Sequence, residues 1–113
     1  MSISPAIPLA NYVSRVPINI STNGTNHIVA GSAGNKVKVI QMLLMSAADV
    51  NLTFKDTAGN SLSGPLPMGV KGNGFCLYEG MVSWFETATG AGLDIALDGA
   101  VQVSGVLVYL QVP

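Results

Sequence analysis

Apolar residues in this chain alternate with polar ones in short runs, and turn residues cut each run before a helical period can develop. Val16, Ile18 and Ile20 alternate up to Ser21-Thr22-Asn23-Gly24, and His27-Ile28-Val29-Ala30 ends at Gly31-Ser32-Ala33-Gly34. Val50, Leu52 and Phe54 alternate with Asn51, Thr53 and Lys55, then meet Asp56-Thr57-Ala58-Gly59-Asn60, the composition of a tight hairpin connection. Leu93, Ile95 and Leu97 alternate with Asp94, Ala96 and Asp98, and Asp98-Gly99 predicts a type I′ turn into a last strand over 101–112. Such a chain buries one face of each strand against a second sheet.

Residues 36–47, KVKVIQMLLMSA, begin with a β alternation, and their later residues are apolar on both faces, which predicts a central strand buried on both sides. Residues 63–69, SGPLPMG, hold two prolines and two glycines and predict a loop that crosses from one sheet to the other. Gly72-Asn73-Gly74 leads into a strand over 75–78, and 82–87 holds Trp84 and Phe85. The predicted fold is all-β: an antiparallel β-sandwich, in its more specific form a jelly roll, over residues 12–113. Residues 1–11, with Pro5 and Pro8 among Ile3, Ile7 and Leu9, predict an extended N-terminal arm whose apolar side chains either pack on their own domain or reach a neighbouring subunit. Leu52, Phe54, Leu93, Ile95, Leu97, Val101 and Val103 are the expected core.

Composition narrows the function. Hydrophobic residues make up 49% of the 113 and charged residues only 10%, against roughly 25% charged in an average soluble domain. A surface so poor in charge is expected to be covered in part by other subunits. The net charge is −1, and Arg15, Lys36, Lys38, Lys55 and Lys71 are scattered, so no basic stripe is available for nucleic acid. The single cysteine, Cys76, forms no internal disulfide. The first residues lack the basic and apolar regions of a signal peptide, and the apolar run 42–45 is too short to span a bilayer, so no membrane association is expected and synthesis in a cytoplasm is. The Asn-x-Ser/Thr matches at Asn19, Asn23 and Asn51 are then chance occurrences.

Cys76 and His27 stand alone as metal ligands, and no third group orients them as nucleophile and base, so neither a metal nor an enzyme activity is expected. Asp94 and Asp98, four apart on a strand, lie on one face about 13 Å apart, too far for a glycosidase pair, and are expected to be solvated outer-face residues. Gly31-Ser32-Ala33-Gly34-Asn35-Lys36 lacks the spacing of a phosphate loop, and Gly90-Ala91-Gly92 lacks the third glycine of a dinucleotide fingerprint; both are expected to be β-turns, and no cofactor is implied. Trp84, Phe85, Tyr78 and Tyr109 suit either core and subunit contacts or, in a second reading, a sugar-binding platform.

The strings SGPLPMGVKGNGF over 63–75, WFET and GLDIAL over 84–97, and VQVSGVLVYLQV over 101–112 resemble small β-sandwich proteins of tailed-bacteriophage virions, the capsid cement or decoration proteins and related head or tail accessory proteins. The resemblance implies a non-enzymatic structural subunit of the virion surface, made in the host cytoplasm, often trimeric, bound to major capsid protein subunits across their joints. Ile3, Ile7, Leu9, Trp84 and Phe85 are the candidate interface residues. A glycan- or receptor-binding module of a phage head or tail is the alternative.

Overall fold

The computed structural model describes residues 13–69, 74–78 and 85–113. Among them the chain forms nine strands and no helix: β1 (Val13–Ile20), β2 (Gly24–Val29), β3 (Lys36–Ser46), β4 (Val50–Asp56), β5 (Leu66–Met68), β6 (Gly74–Tyr78), β7 (Phe85–Glu86), β8 (Leu93–Leu97) and β9 (Val103–Val112). They build two antiparallel sheets. Sheet A has the order β1-β9-β3-β6, with β7 beside β6 on the same edge of β3; sheet B has the order β2-β8-β4-β5.

The pairings are nested. β4 pairs β5, β3 pairs β6, β2 pairs β8 and β1 pairs β9, all antiparallel. The chain is therefore one antiparallel ribbon doubled back between β4 and β5. Two further ladders, β3 with β9 and β4 with β8, form where that ribbon rolls over on itself. Rolling turns one face of each strand inward. Val37, Val39, Met42 and Leu44 of β3 meet Leu52 and Phe54 of β4, Leu93 and Ile95 of β8, and Leu107 of β9 in one core between the sheets. Every residue of the expected core is buried except Val101, which is half-buried and packs against it. Each fully buried Leu, Ile, Val or Phe contributes roughly 1.5–3 kcal/mol.

Three expectations are corrected. The segment 63–69 is not wholly a loop between sheets: Leu66–Met68 is edge strand β5, pairing with Val50, Asn51 and Leu52 in sheet B, and the crossing to sheet A comes after Met68. Pro67 is compatible because an edge strand needs donors on one side only. Asp98-Gly99 makes no hairpin either. β8 lies in sheet B and β9 in sheet A, so 98–102 passes between layers, and Gly99 lacks the positive φ that a type I′ turn requires. The hairpin turn at 56–60 does form, with Gly59 at φ 96° and Gly59 N–H donating to Asp56 O at 3.1 Å. Finally, β3 is central in its sheet but buried on one face only. Ile40 is an extra residue opposite β9, a β-bulge between Val39 and Gln41, and beyond it Met42 and Leu44 point inward while Leu43 and Met45 are 44% and 45% exposed.

The β3–β9 ladder carries a glycine for a stated reason. Gly105 has φ 155°, and a Cβ there would lie 1.8 Å from the Leu43 carbonyl oxygen of the neighbouring strand. Gly99, six residues earlier, has no atom closer than Val101 Cγ2 at 4.0 Å from its Cβ position. Gly105→Ala is expected to lower stability by about 3 kcal/mol or prevent folding, and Gly99→Ala to change it little, as read by urea unfolding. Equal effects from the two changes would show that the ladder does not close in this register.

Candidate functional site

Because opposite residues in an antiparallel ladder share a face, the outer face of sheet A can be read from its register. Three rows cross β1, β9 and β3: Asn19, Ser104 and Met45; Pro17, Val106 and Leu43; Arg15, Val108 and Gln41. Pro17, Val106, Leu43, Met45 and Val108 make the centre apolar, over about 10 Å across the strands and about 14 Å along them. Leu43 and Met45 are the exposed large hydrophobic side chains among the described residues. Towards the other end of β3 the face becomes charged: Glu86 of β7 pairs with Lys36 at 3.0 Å and Lys38 at 3.8 Å. The hydrogen bond from Lys36 holds the Glu86 carboxyl below its usual range despite some desolvation.

The outer face of sheet B is polar, with Thr25 and His27 of β2, Asp94 and Ala96 of β8, and Asn51, Thr53 and Lys55 of β4 in matching register. Here Asp94 departs from expectation. It is on the outer side but buried, because β8 is a central strand and Asp94 sits between His27 and Lys55 in the two adjoining ladders. Its Oδ1 lies 2.8 Å from His27 Nδ1, while the imidazole itself is 81% exposed. Asp98 is exposed as expected, and its carboxylate accepts Asn51 N–H at 2.8 Å and Asn51 Nδ2–H at 2.7 Å, which lowers its pKa.

At one end of the sandwich Asp56 ties two loops together. It is buried at the end of β4 and takes up hydrogen bonds from Ala58 N and Asn60 N on Oδ1, and from Asn60 Nδ2 and Ala88 N on Oδ2. Thr87 beside it accepts from Val37 N and donates to Ala91 O, and Thr57 Oγ1 accepts from Gly92 N. Gly31 and Gly92 are glycines because their backbones touch: a Cβ on Gly92 would lie 2.1 Å from Val29 O. Gly34 and Gly90 sit in β-turns as expected, at φ 79° and 87°. These glycine-rich segments fasten the sheets to each other. Sequence reasoning passed over Asp56 and Thr87, although an aspartate opening a D-x-x-G-N turn is a recognisable Asx signal.

At the opposite end a cavity of about 420 Å³ opens between Asp49, Val50, Asn51, Pro67, Met68, Gly69 and Asp98. The Asp98 carboxylate is already engaged by Asn51, and the described lining residues contain no nucleophile and base in contact. Among the described residues no three His, Cys, Asp or Glu side chains gather to hold a metal.

Of the candidate interface residues, Phe85 is half-buried and turned to the core, its ring centroid 4.7 Å from that of Phe54 at a 39° tilt. Ile3, Ile7, Leu9 and Trp84 lie outside the described residues, as does the predicted arm. Cys76 stands opposite Leu43 in the β3–β6 ladder, far in sequence and in sheet from His27 on β2. Tyr109 packs on the core, and Trp84 and the side chain of Tyr78 lie outside what the structure describes. Comparison of the chain with known protein families, curated proteins and solved structures finds no match.

Asp56 generates a pH prediction. Burial alone would raise its pKa, but the four hydrogen bonds outweigh burial and bring it below the ordinary 3.8. The folded state then holds this proton less tightly than the unfolded chain, so Asp56 stabilises at neutral pH and that contribution is lost as pH falls through its folded pKa. Asp56→Asn replaces an acceptor with a donor facing Ala88 N–H and is expected to cost about 2 kcal/mol or more at neutral pH. Thermal unfolding between neutral and acid pH should show a gap between wild type and Asp56→Asn that narrows in acid; a constant gap would contradict the ionised clamp.

Proposed function

We propose that this chain is a non-enzymatic structural subunit of a tailed-bacteriophage virion, a capsid cement or decoration protein that binds major capsid protein subunits and its own copies, as a trimer, on the capsid surface. The observation that carries the reading is the contrast between the two outer faces: an exposed apolar centre on sheet A, where Leu43, Met45, Val106 and Pro17 meet, against the Thr/Asn/Asp/Lys face of sheet B. A sandwich with one such face attaches by that face and shows the other to water. Binding the assembled shell stabilises it by mass action. Nested strand pairing in two sheets of order β1-β9-β3-β6 and β2-β8-β4-β5 supports reading the sandwich as a jelly roll. In this proposal residues 1–11 act as a hook, with Ile3, Ile7 and Leu9 as apolar anchors on a neighbouring subunit.

Two variants test the proposal on phage particles assembled with the chain's own capsid protein. Leu43 and Met45 are each already about half-buried, so docking gains roughly 1 kcal/mol apiece, and Leu43→Ser with Met45→Ser is expected to weaken retention on particles about thirtyfold with the unfolding temperature nearly unchanged. Deleting residues 2–10 is expected to reduce retention likewise and to leave the melting of the free protein in place. Absence of the wild-type chain from purified particles overturns the proposal, and full retention of the double variant moves attachment to another face.

A further inference from the structure

Asn23 lies in the link 21–23 that carries the chain from β1 in sheet A to β2 in sheet B. It is exposed, and the residue after it is Gly24, at φ 100°, where nothing lies within 4 Å of the position a Cβ would take. Nothing therefore crowds the side of Gly24 on which a side chain would stand. The other asparagines among the described residues differ on both counts. Asn19 Oδ1 accepts from Gln102, Asn26 Nδ2 donates to Thr22 O, Asn35 Nδ2 to Ser32 Oγ, Asn51 Nδ2 to Asp98, and Asn60 Nδ2 to Asp56. Each is followed by a residue with a side chain: Ile20, His27, Lys36, Leu52 and Ser61. Asn23 has no side-chain hydrogen bond among the described residues. Asn26 instead braces the turn around it, donating to the carbonyls of Thr22 at 2.9 Å and Gly24 at 3.2 Å and leaving the Asn23 amide in solvent.

We propose that Asn23 is a self-modification site, at which the folded chain forms a succinimide with Gly24 and converts to aspartate and isoaspartate without an enzyme. The amide nitrogen of Gly24, on losing its proton to base, attacks Cγ of Asn23. A C–N bond closes the five-membered imide, the bond from Cγ to the side-chain nitrogen breaks, and that nitrogen leaves as ammonia after taking up a proton. Water then opens either imide carbonyl. Opening at the side-chain carbonyl leaves the main chain in place and yields aspartate; opening at the backbone carbonyl routes the main chain through Cβ and yields isoaspartate. No electrons are transferred and water is the only co-reactant. The product carries one more negative charge than the formal net charge of −1, and isoaspartate lengthens by one methylene the link that joins the two sheets. Subunits thereby acquire an age-dependent mark at a fixed place.

The test incubates the intact protein in warm, mildly alkaline buffer, follows the mass change that replaces an amide NH2 by OH, and maps it by peptide digestion and by methylation with a protein isoaspartyl methyltransferase. The expected result is methyl label in the peptide containing residue 23, rising with pH, and lost in Asn23→Ser, whose thermal unfolding should match wild type. A free peptide spanning 20–27 supplies the unfolded rate. Conversion at Asn23 in the folded protein within about tenfold of that rate supports the proposal. An Asn23 that stays intact while the peptide converts, or label found only at the second Asn-Gly step, Asn73-Gly74, overturns it.

Discussion

The β3–β9 ladder is the interaction on which the rest of this fold depends. It runs from Lys36 opposite Val112 to Ser46 opposite Val103 and joins two strands far apart in the chain. Without it the nested ribbon would be a string of local pairs with β1 and β9 at one end and β4 and β5 at the other. Its closure, together with β4–β8, brings Val37, Val39, Met42 and Leu44 over Leu52, Phe54, Leu93 and Ile95. The ladder also sets how close the strands approach, because Gly105 lets β9 come against the Leu43 carbonyl where any side chain would collide. The Asp56 and Thr87 network then secures one end of the sandwich by hydrogen bonds between loops that the ladders alone leave separate.

The same ladder makes the two outer faces unlike. The bulge at Ile40 resets the alternation of β3, so the residues that follow send Leu43 and Met45 outward beside Val106 and Val108 of β9. Sheet B has no such reset on its central strand, and β8 alternates Leu93, Ile95 and Leu97 inward with Asp94 and Ala96 outward. A thin body, 55 × 27 × 19 Å overall, with an apolar centre on one broad face suits lying flat on a protein surface, and the proposed role as a virion cement subunit grows from that asymmetry.

How much of this was legible in the sequence follows from the range of each interaction. The alternating runs around Ile18, Leu52, Phe54 and Ile95 disclosed strands, core and sandwich, because alternation is a local pattern that burial of one face imposes. The turn at 56–60 was legible for the same reason. Asp98-Gly99 misled because a dipeptide states a local preference, whereas the destination of β9 is decided by its pairing with β1 and β3 in the other sheet. Pro65 and Pro67 concealed β5 because an edge strand tolerates proline in a way that a sequence pattern does not register. Asp94 looked solvated on its own strand; its burial comes from His27 and Lys55 on two neighbouring strands. The apolar stretch after Ile40 looked two-sided because the bulge, which decides which residues face out, leaves no mark in composition.

The most direct test of the account is oxidative footprinting of the methionines in the free and the particle-bound protein. In the free protein Met45, 45% exposed, should oxidise to the sulfoxide well before Met42 and Met68, which are 2% and 4% exposed. On particles Met45 should become protected while the exposed His27 on the opposite face remains reactive. Met45 equally reactive in both states, or protection of His27 in its place, would contradict attachment through the outer face of sheet A.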